Sequence, residues 1–515
     1  MSHTNSFKPS FVGLSEQIAL HGRFRSKNIA LREWDRRVDW ASYDATGNCI
    51  GHALLHSGIR PGDRIGMLVS NGIWAHELLL GIWRAGAVAV PLSPMLSADA
   101  IDRMLTDAGA AILFAGTACE DLANDSSGER RQVIVEGEIF ENWLDRSRSI
   151  DTGIRNSADD LAVIIYSSGT TGTPKGIAHS HGARLSFAAG FAAEFRFHYN
   201  SVALSAIPMH SNGAWLSWSP AKWFGACTAI LPAFTPDAFC AAIREYQPTH
   251  GFIVPAMAQA LLAQPNIEDA GLDCFETAIT AGSPMPESMK AQLQRLTGNA
   301  LYELWGLTEG VATIMSPADM VHRPNAVGRP ILGCELRIID TQDRDVSFAA
   351  AGEIAGHSAG LMSGYWNRQD ANTAAVWKDA DERVFIRTGD VGELDDDGFL
   401  TLRGRLKDMI ISGGLNVYPV DIEAVLVTHE AVLDAAVVGV DDQKWGEVPV
   451  AFVRLANNSD ADPVAIQHWV NEQLAKHQRV QAVISYPQDF PRNTLGKVLK
   501  NELRQSYYSQ LNSDD

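Results

Sequence analysis

Residues 166–176 read YSSGTTGTPKG and follow directly on the apolar run LAVII at 161–165. Three glycines, five Ser or Thr hydroxyls and one lysine crowd into these eleven positions. That make-up suits a phosphate group. Glycine lets the backbone approach closely, N–H groups and hydroxyls donate hydrogen bonds, and the lysine offsets negative charge. Two common phosphate signatures do not fit: GTTGTPKG departs from G-x-x-x-x-G-K-[ST], and the stretch lacks G-x-G-x-x-G.

Outward from this loop, short apolar runs alternate with helical patterns. RIGMLVS (64–70), AGAVAVPL (85–92), AAILFAG (110–116) and LAVIIYSS (161–168) read as strands, and THGFIVP (249–255) and FETAITAG (275–282) continue the rhythm. Such alternation predicts parallel sheets covered by helices. Beyond residue 330 the texture changes, with CELRIID (334–340) and GFLTLRG (398–404) set between turns rich in Gly and Asp. GRLKDMIISGGLNVYP (404–419) then leads into a compact tail of alternating helical and strand patterns. The reading is α/β. It has a large N-terminal domain of parallel and mixed sheets covered by helices over 1–404, a hinge at 405–410, and a small mobile α+β domain over 411–515.

A chain of 515 residues exceeds one ordinary core and calls for several. Its 46% hydrophobic and 20% charged residues are those of a globular enzyme. A net charge of −19 repels polyanions, so neither nucleic acid nor an anionic membrane is an expected partner. The six cysteines lie far apart without a C-x-x-C pair, which predicts reduced thiols. The opening MSHTNSFKPSFVG does not have the form of a signal peptide, and no apolar stretch has the length of a membrane span. A soluble, cytoplasmic protein is expected, and base rates favour a homodimer.

Four further segments stand in order behind the loop: YELWGLTEG (302–310), RTGDVGEL (387–394), GRLKDMIISGGLNVYP (404–419) and PRNTLGK (491–497). With YSSGTTGTPKG they resemble the adenylate-forming superfamily of acyl-CoA synthetases, aryl-CoA ligases, firefly-type luciferases and carrier-loading adenylation domains. The pattern runs from about residue 10 to residue 505 and is most like the AMP-forming acyl-CoA synthetases. The resemblance implies two half-reactions. A carboxylate attacks the α-phosphate of ATP, giving an acyl-adenylate and pyrophosphate, and a thiol then attacks the acyl carbon. ATP, Mg²⁺ and coenzyme A are the implied cofactor and co-substrates, with a small carboxylic acid as the partner to be activated.

Residue by residue, the resemblance implies an ATP site made of Ser167, Ser168, Gly169, Thr170, Thr171, Gly172, Thr173 and Lys175, with Gly282 at the floor beside Ala281. Trp305 would stack on adenine, where many relatives carry Tyr. Thr308 would contact the α-phosphate, and Glu309 would help hold Mg²⁺, an ion that pairs one carboxylate with nucleotide and water oxygens. Asp390 would accept from the ribose hydroxyls, and the planar fork of Arg405 would reach ribose and phosphates. Lys497 would bridge carboxylate and α-phosphate during adenylation, Lys407 would be the hinge, and Gly413 and Gly414 would line the pantetheine tunnel for CoA. In IPMHSNGAW (207–215), His210 either orients the acid or packs structurally. Nearby Trp215, Trp218 and Trp223 either line the acyl pocket or fill core. HSH (179–181) has no third ligand nearby and is not expected to bind metal.

The acceptor is the main alternative. A stand-alone adenylation enzyme would load a separate carrier-protein phosphopantetheine instead of CoA; with few residues after Lys497, a fused carrier domain is not expected, which favours CoA. Luciferase-like oxidation finds no specific support. A non-catalytic nucleotide sensor is disfavoured by Lys175, Glu309, Asp390, Arg405 and Lys497 occurring together. The acid itself is expected to be a compact aromatic or medium-chain monocarboxylic acid, in preference to a long-chain fatty acid.

Overall fold

The computed structural model describes residues 10–127, 131–146, 148–167, 174–413, 415–456, 459, 461–492 and 498–511. They fall into two compact units. The first comprises Met1–Pro324, Gly328–Glu335 and His357–Val376, and the second Asn325–Val327, Leu336–Gly356 and Trp377–Asp515.

The first unit carries two large sheets. A seven-stranded sheet runs in the order Gly364–Tyr365, Lys175–Ser180, Leu161–Ser167, Val88–Pro91, Arg64–Leu68, Ala110–Ala115, Gln132–Val135. Its last five strands are parallel, and the first two add antiparallel. The nine-stranded sheet has a parallel centre from Ile29–Glu33 through Cys227–Ile230, Val202–Ser205, His250–Phe252 and Thr277–Ala281 to Leu301–Gly306. One apolar core takes side chains from both sheets, including Ile65, Val163, Leu204 and Ile279. The other face of the seven-stranded sheet packs Val90, Leu113 and Ile164 against Ile101, Met104 and Leu105 of the helix Ala98–Ala108. Coverage on both faces explains why LAVII is apolar without alternation: Val163 and Ile165 face one core and Ile164 the other.

The second unit is built mainly on two five-stranded sheets. One is centred on Val384–Leu394, with Leu400–Arg405 paired antiparallel to it. The other is centred on Gly446–Leu455, with Pro419–Leu426 and Pro463–Gln473 contributing to the core on one face and Lys500–Leu511 to that on the other. Residues 406–409 join the two sheets. Among the described residues no helix is long and apolar enough to cross a membrane. All six cysteines are unpaired.

Candidate functional site

The glycine-rich stretch connects two antiparallel strands, Leu161–Ser167 and Lys175–Ser180, with Ser167 in register opposite Lys175. A hairpin, rather than a strand-to-helix turn, therefore presents this loop. Its stem is anchored at Asp107, in the last turn of the helix Ala98–Ala108. A carboxylate there opposes the helix dipole and needs donors. Tyr166 donates its hydroxyl to Asp107 Oδ2 at 2.7 Å, and Arg368 Nη1 donates to Oδ1 at 2.9 Å. Trp366 Nε1 donates to the Asp107 carbonyl at 2.9 Å. These bonds hold the segment 365–368 against the hairpin, and Gly364–Tyr365 completes the sheet beside Lys175–Ser180.

Tyr365 is the consequence. The Lys175 ammonium lies 5.1 Å from its ring centroid, within cation–π range. Its hydroxyl donates to Glu309 Oε1 at 2.8 Å. Burial and the adjacent Glu309 carboxylate push the Tyr365 phenol upward, so it remains a donor at ordinary pH. The turn carrying Thr308 and Glu309 is held in place as well. Met362 N donates to the Glu309 carbonyl at 2.8 Å, and Ser358 Oγ donates to that of Gly310 at 2.7 Å. Gly310 has φ +106°, and a Cβ there would stand 2.2 Å from the Gly360 oxygen. Only glycine fits.

Lys175 and Glu309 thus meet through Tyr365, a residue the sequence reading did not single out; the GYW run at 364–366 was its signal. Trp305 stands next to last in the strand Leu301–Gly306, half-buried, and Thr308 lies just beyond the strand, also half-buried. Gly282, at φ +100°, follows the strand Thr277–Ala281 with open space where a Cβ would be. His210 is mostly buried, which pushes it down to about 4, and its Nδ1 has no partner among the described residues. It is therefore a neutral imidazole near pH 7. Trp215 and Trp218 belong to the core, at 1% and 2% exposure with ring centroids 4.4 Å apart, and Trp223 packs against that core. His179 and His181 are buried. Burial drives both below the usual histidine range, and a hydrogen bond that the His179 ring donates to the Thr308 backbone works the other way.

In the second unit, Asp390 and Arg405 are register partners on neighbouring strands. Arg405 Nε lies 2.5 Å from Asp390 Oδ1, and Arg405 Nη1 reaches the Thr388 carbonyl at 3.5 Å. The Asp390 backbone N–H in turn donates to Thr388 Oγ1 at 3.1 Å. Lys407 is exposed in the short helical turn Leu406–Asp408. Gly413 adopts φ +59° and donates its N–H to the Trp445 carbonyl at 2.7 Å. Ser168, Gly169, Thr170, Thr171, Gly172, Thr173, Gly414 and Lys497 lie outside the described residues. Arg492 and Val498, which flank the PRNTLGK lysine, form an isolated antiparallel bridge.

Comparison with known proteins bears on this arrangement. The family model for the AMP-binding enzyme matches residues 20–366, and that for the AMP-binding enzyme C-terminal domain matches 421–497. The long-chain-fatty-acid–CoA ligase FadD13 of Mycobacterium tuberculosis is 31% identical over 484 residues, covering 92% of this chain and 94% of that protein. The fatty acid–[acyl-carrier-protein] ligase ScoC of Streptomyces coeruleorubidus is 29% identical over 513 residues, 97% of each. The crystal structure of ATP-bound MatB from Rhodopseudomonas palustris matches with TM-score 0.84 and 27% identity, covering 95% of this chain and 99% of that one.

Proposed function

The chain belongs to the family of AMP-binding enzymes, and on that premise we propose that it is an AMP-forming ligase joining a compact aromatic or medium-chain carboxylic acid to coenzyme A. In the first step a carboxylate oxygen bonds to the α-phosphorus of ATP while the bond to pyrophosphate breaks. In the second, a thiol sulfur bonds to the acyl carbon and AMP leaves. Substrates supply both nucleophiles, so the protein's task is positioning and charge stabilisation.

The observation that carries this reading is the Lys175–Tyr365–Glu309 cluster, assembled from three distant segments beside the glycine-rich hairpin. Lys175 and the loop hydroxyls hold phosphate oxygens, and Trp305 stacks on the base. Glu309 suits Mg²⁺: Tyr365 occupies one side of Oε1 and leaves the other carboxylate oxygen for an ion that takes its remaining ligands from phosphate and water. When bound, the ion would neutralise phosphate charge. Thr308 faces the α-phosphate, neutral His210 orients the acid, and Asp390 and Arg405 take the ribose. Lys497 stabilises the charge that develops during adenylation. A hinge at 405–410, with Lys407 at its centre, then presents the 411–515 domain in a second orientation, with Gly413 and Gly414 admitting the pantetheine arm. We place the enzyme in the cytoplasm, as a homodimer, acting on small molecules and on neither nucleic acid nor membranes.

Two substitutions test the assignment. Lys497→Ala should sharply reduce adenylation and spare thioester formation from pre-made acyl-AMP; equal loss of both halves refutes the role. Lys407→Pro should do the reverse, and an intact CoA step refutes the hinge. A second reading draws support from the likeness to ScoC: the acceptor is then a carrier-protein phosphopantetheine. Acid-dependent pyrophosphate release that CoA does not stimulate, and a phosphopantetheinyl carrier does, selects it.

A further inference from the structure

Arg184 stands on the first turns of the helix His181–Glu194, 2% exposed and among the largest fully buried side chains of the protein. A buried guanidinium normally pairs with a carboxylate. Arg84 does so, with Asp44 at 2.5 Å. Arg184 has no such partner among the described residues. Its Nη1 donates to the side-chain oxygen of Asn212 at 2.8 Å, and it lies 4.5 Å from the ring centroid of Trp215 and 5.3 Å from that of Phe187. Nε and Nη2 find no hydrogen-bond partner among the described residues. Burial lowers its pKa to about 9, so the cation persists at neutral pH.

Which two nitrogens are left over matters. Nε–H and Nη2–H form one edge of the guanidinium, a pair of nearly parallel donors spaced to match the two oxygens of a carboxylate. That edge is the part of Arg184 that the described residues leave unused. Its surroundings connect to the proposed reaction centre on two sides. Asn212 follows His210 by two residues. On the other side, a Cβ at Gly360 would lie 3.7 Å from the Ala183 carbonyl, and Gly360 itself packs on Gly310, next to Glu309. Thr308 and Glu309 are half-buried, whereas Arg184 is fully enclosed. His179 links the two, hydrogen-bonded to the Thr308 backbone and within reach of the Arg184 charge, so an acid with its reacting carboxylate at Thr308 would extend toward Arg184.

We propose that Arg184 determines specificity by receiving, on its Nε–Nη2 edge, a second carboxylate at the far end of the acid from the one activated. The inference rests on the ligase reading above and replaces the monocarboxylic acid expected from sequence with a dicarboxylic acid, Trp215 and Phe187 flanking the bound end.

The test compares a dicarboxylic acid, its monomethyl ester and the unsubstituted monocarboxylic acid of equal length, over short to medium lengths, by pyrophosphate release. At the best length the wild type should favour the dicarboxylate by about 10- to 100-fold in kcat/KM, the worth of a charge-assisted pair of hydrogen bonds. Arg184→Met should reverse that order, and Arg184→Lys, which keeps charge but loses the fork, should fall between. Wild-type preference for the monocarboxylate at every length overturns the proposal, as does an unchanged ratio in folded Arg184→Met. Should no acid of any kind release pyrophosphate, the ligase reading fails. Calorimetric binding of the dicarboxylate to wild type and Arg184→Met then decides the Arg184 site separately, with equal affinity counting against it.

Discussion

Tyr365→Phe removes a single oxygen and leaves the ring under Lys175 in place. What disappears is the 2.8 Å hydrogen bond to Glu309 Oε1. A neutral hydroxyl donating to a carboxylate contributes about 1.5–3 kcal/mol. Both residues are half-buried, so the lower end applies, about 1.5–2 kcal/mol or about 10- to 30-fold. The assay is acid-dependent ATP–pyrophosphate exchange at saturating Mg²⁺. kcat/KM for ATP should drop by that factor while the melting temperature stays near that of the wild type, because the Asp107 anchor is untouched. A double-mutant cycle with Glu309→Gln isolates the pair: once Glu309 is gone, losing the hydroxyl should have little further effect. Exchange unchanged within about twofold, or strictly additive losses in the cycle, would show that Tyr365 does not act through Glu309.

Three other outcomes follow from the geometry. Gly310→Ala forces a Cβ to 2.2 Å from the Gly360 oxygen at φ +106°, so stability should fall by about 3 kcal/mol or more in denaturant melts; an unchanged midpoint would mean the turn is not as described. Asp390→Asn deprives Arg405 of its partner. With Arg405 33% exposed, the stability cost should be about 1–2 kcal/mol, and KM for ATP should rise. That rise should vanish with ATP lacking both ribose hydroxyls, and persistence would refute ribose recognition by Asp390. Burial lowers both His181 and His250 to about 4. Between about 4 and 6.5 the unfolded chain binds protons that the folded chain refuses, so stability is fully present above that window and lost as pH falls through it, by up to about 3 kcal/mol per histidine. Urea melts from pH 6.5 to 5 should show the decline, and a flat profile there would contradict it.

Much of the fold could be read from local pattern, and the reason is coverage. AAILFAG and LAVIIYSS are buried on both faces, so their runs are continuous and conspicuous. Val202–Ser205 and Cys227–Ile230 are equally central in their sheet but only four residues long, and VALS and CTAI carry too few apolar positions to stand out. The site shows the same limit. Lys175 and Glu309 lie in compact motifs, whereas Tyr365 becomes meaningful only when the Asp107 anchor brings 365–368 to the hairpin, a pairing some 260 positions apart in the chain. Arg184 was invisible for a different reason. In HSHGARLSF it looks like one charge on a helix, and only the fold shows that no carboxylate among the described residues answers it. For the tryptophans, open between pocket and core in sequence, the fold packs Trp83, Trp215 and Trp218 on one another between the sheets, and Trp215 in addition presents its ring to the Arg184 guanidinium.

The central claim is that a carboxylate oxygen of the acid attacks the α-phosphorus of ATP. Supplying the acid with its carboxylate oxygens labelled heavy, and analysing the nucleotide product by mass spectrometry, tests it directly. The account predicts AMP carrying one labelled oxygen, in step with pyrophosphate release and thioester formation. Unlabelled AMP, or ADP with the label in inorganic phosphate, would contradict it.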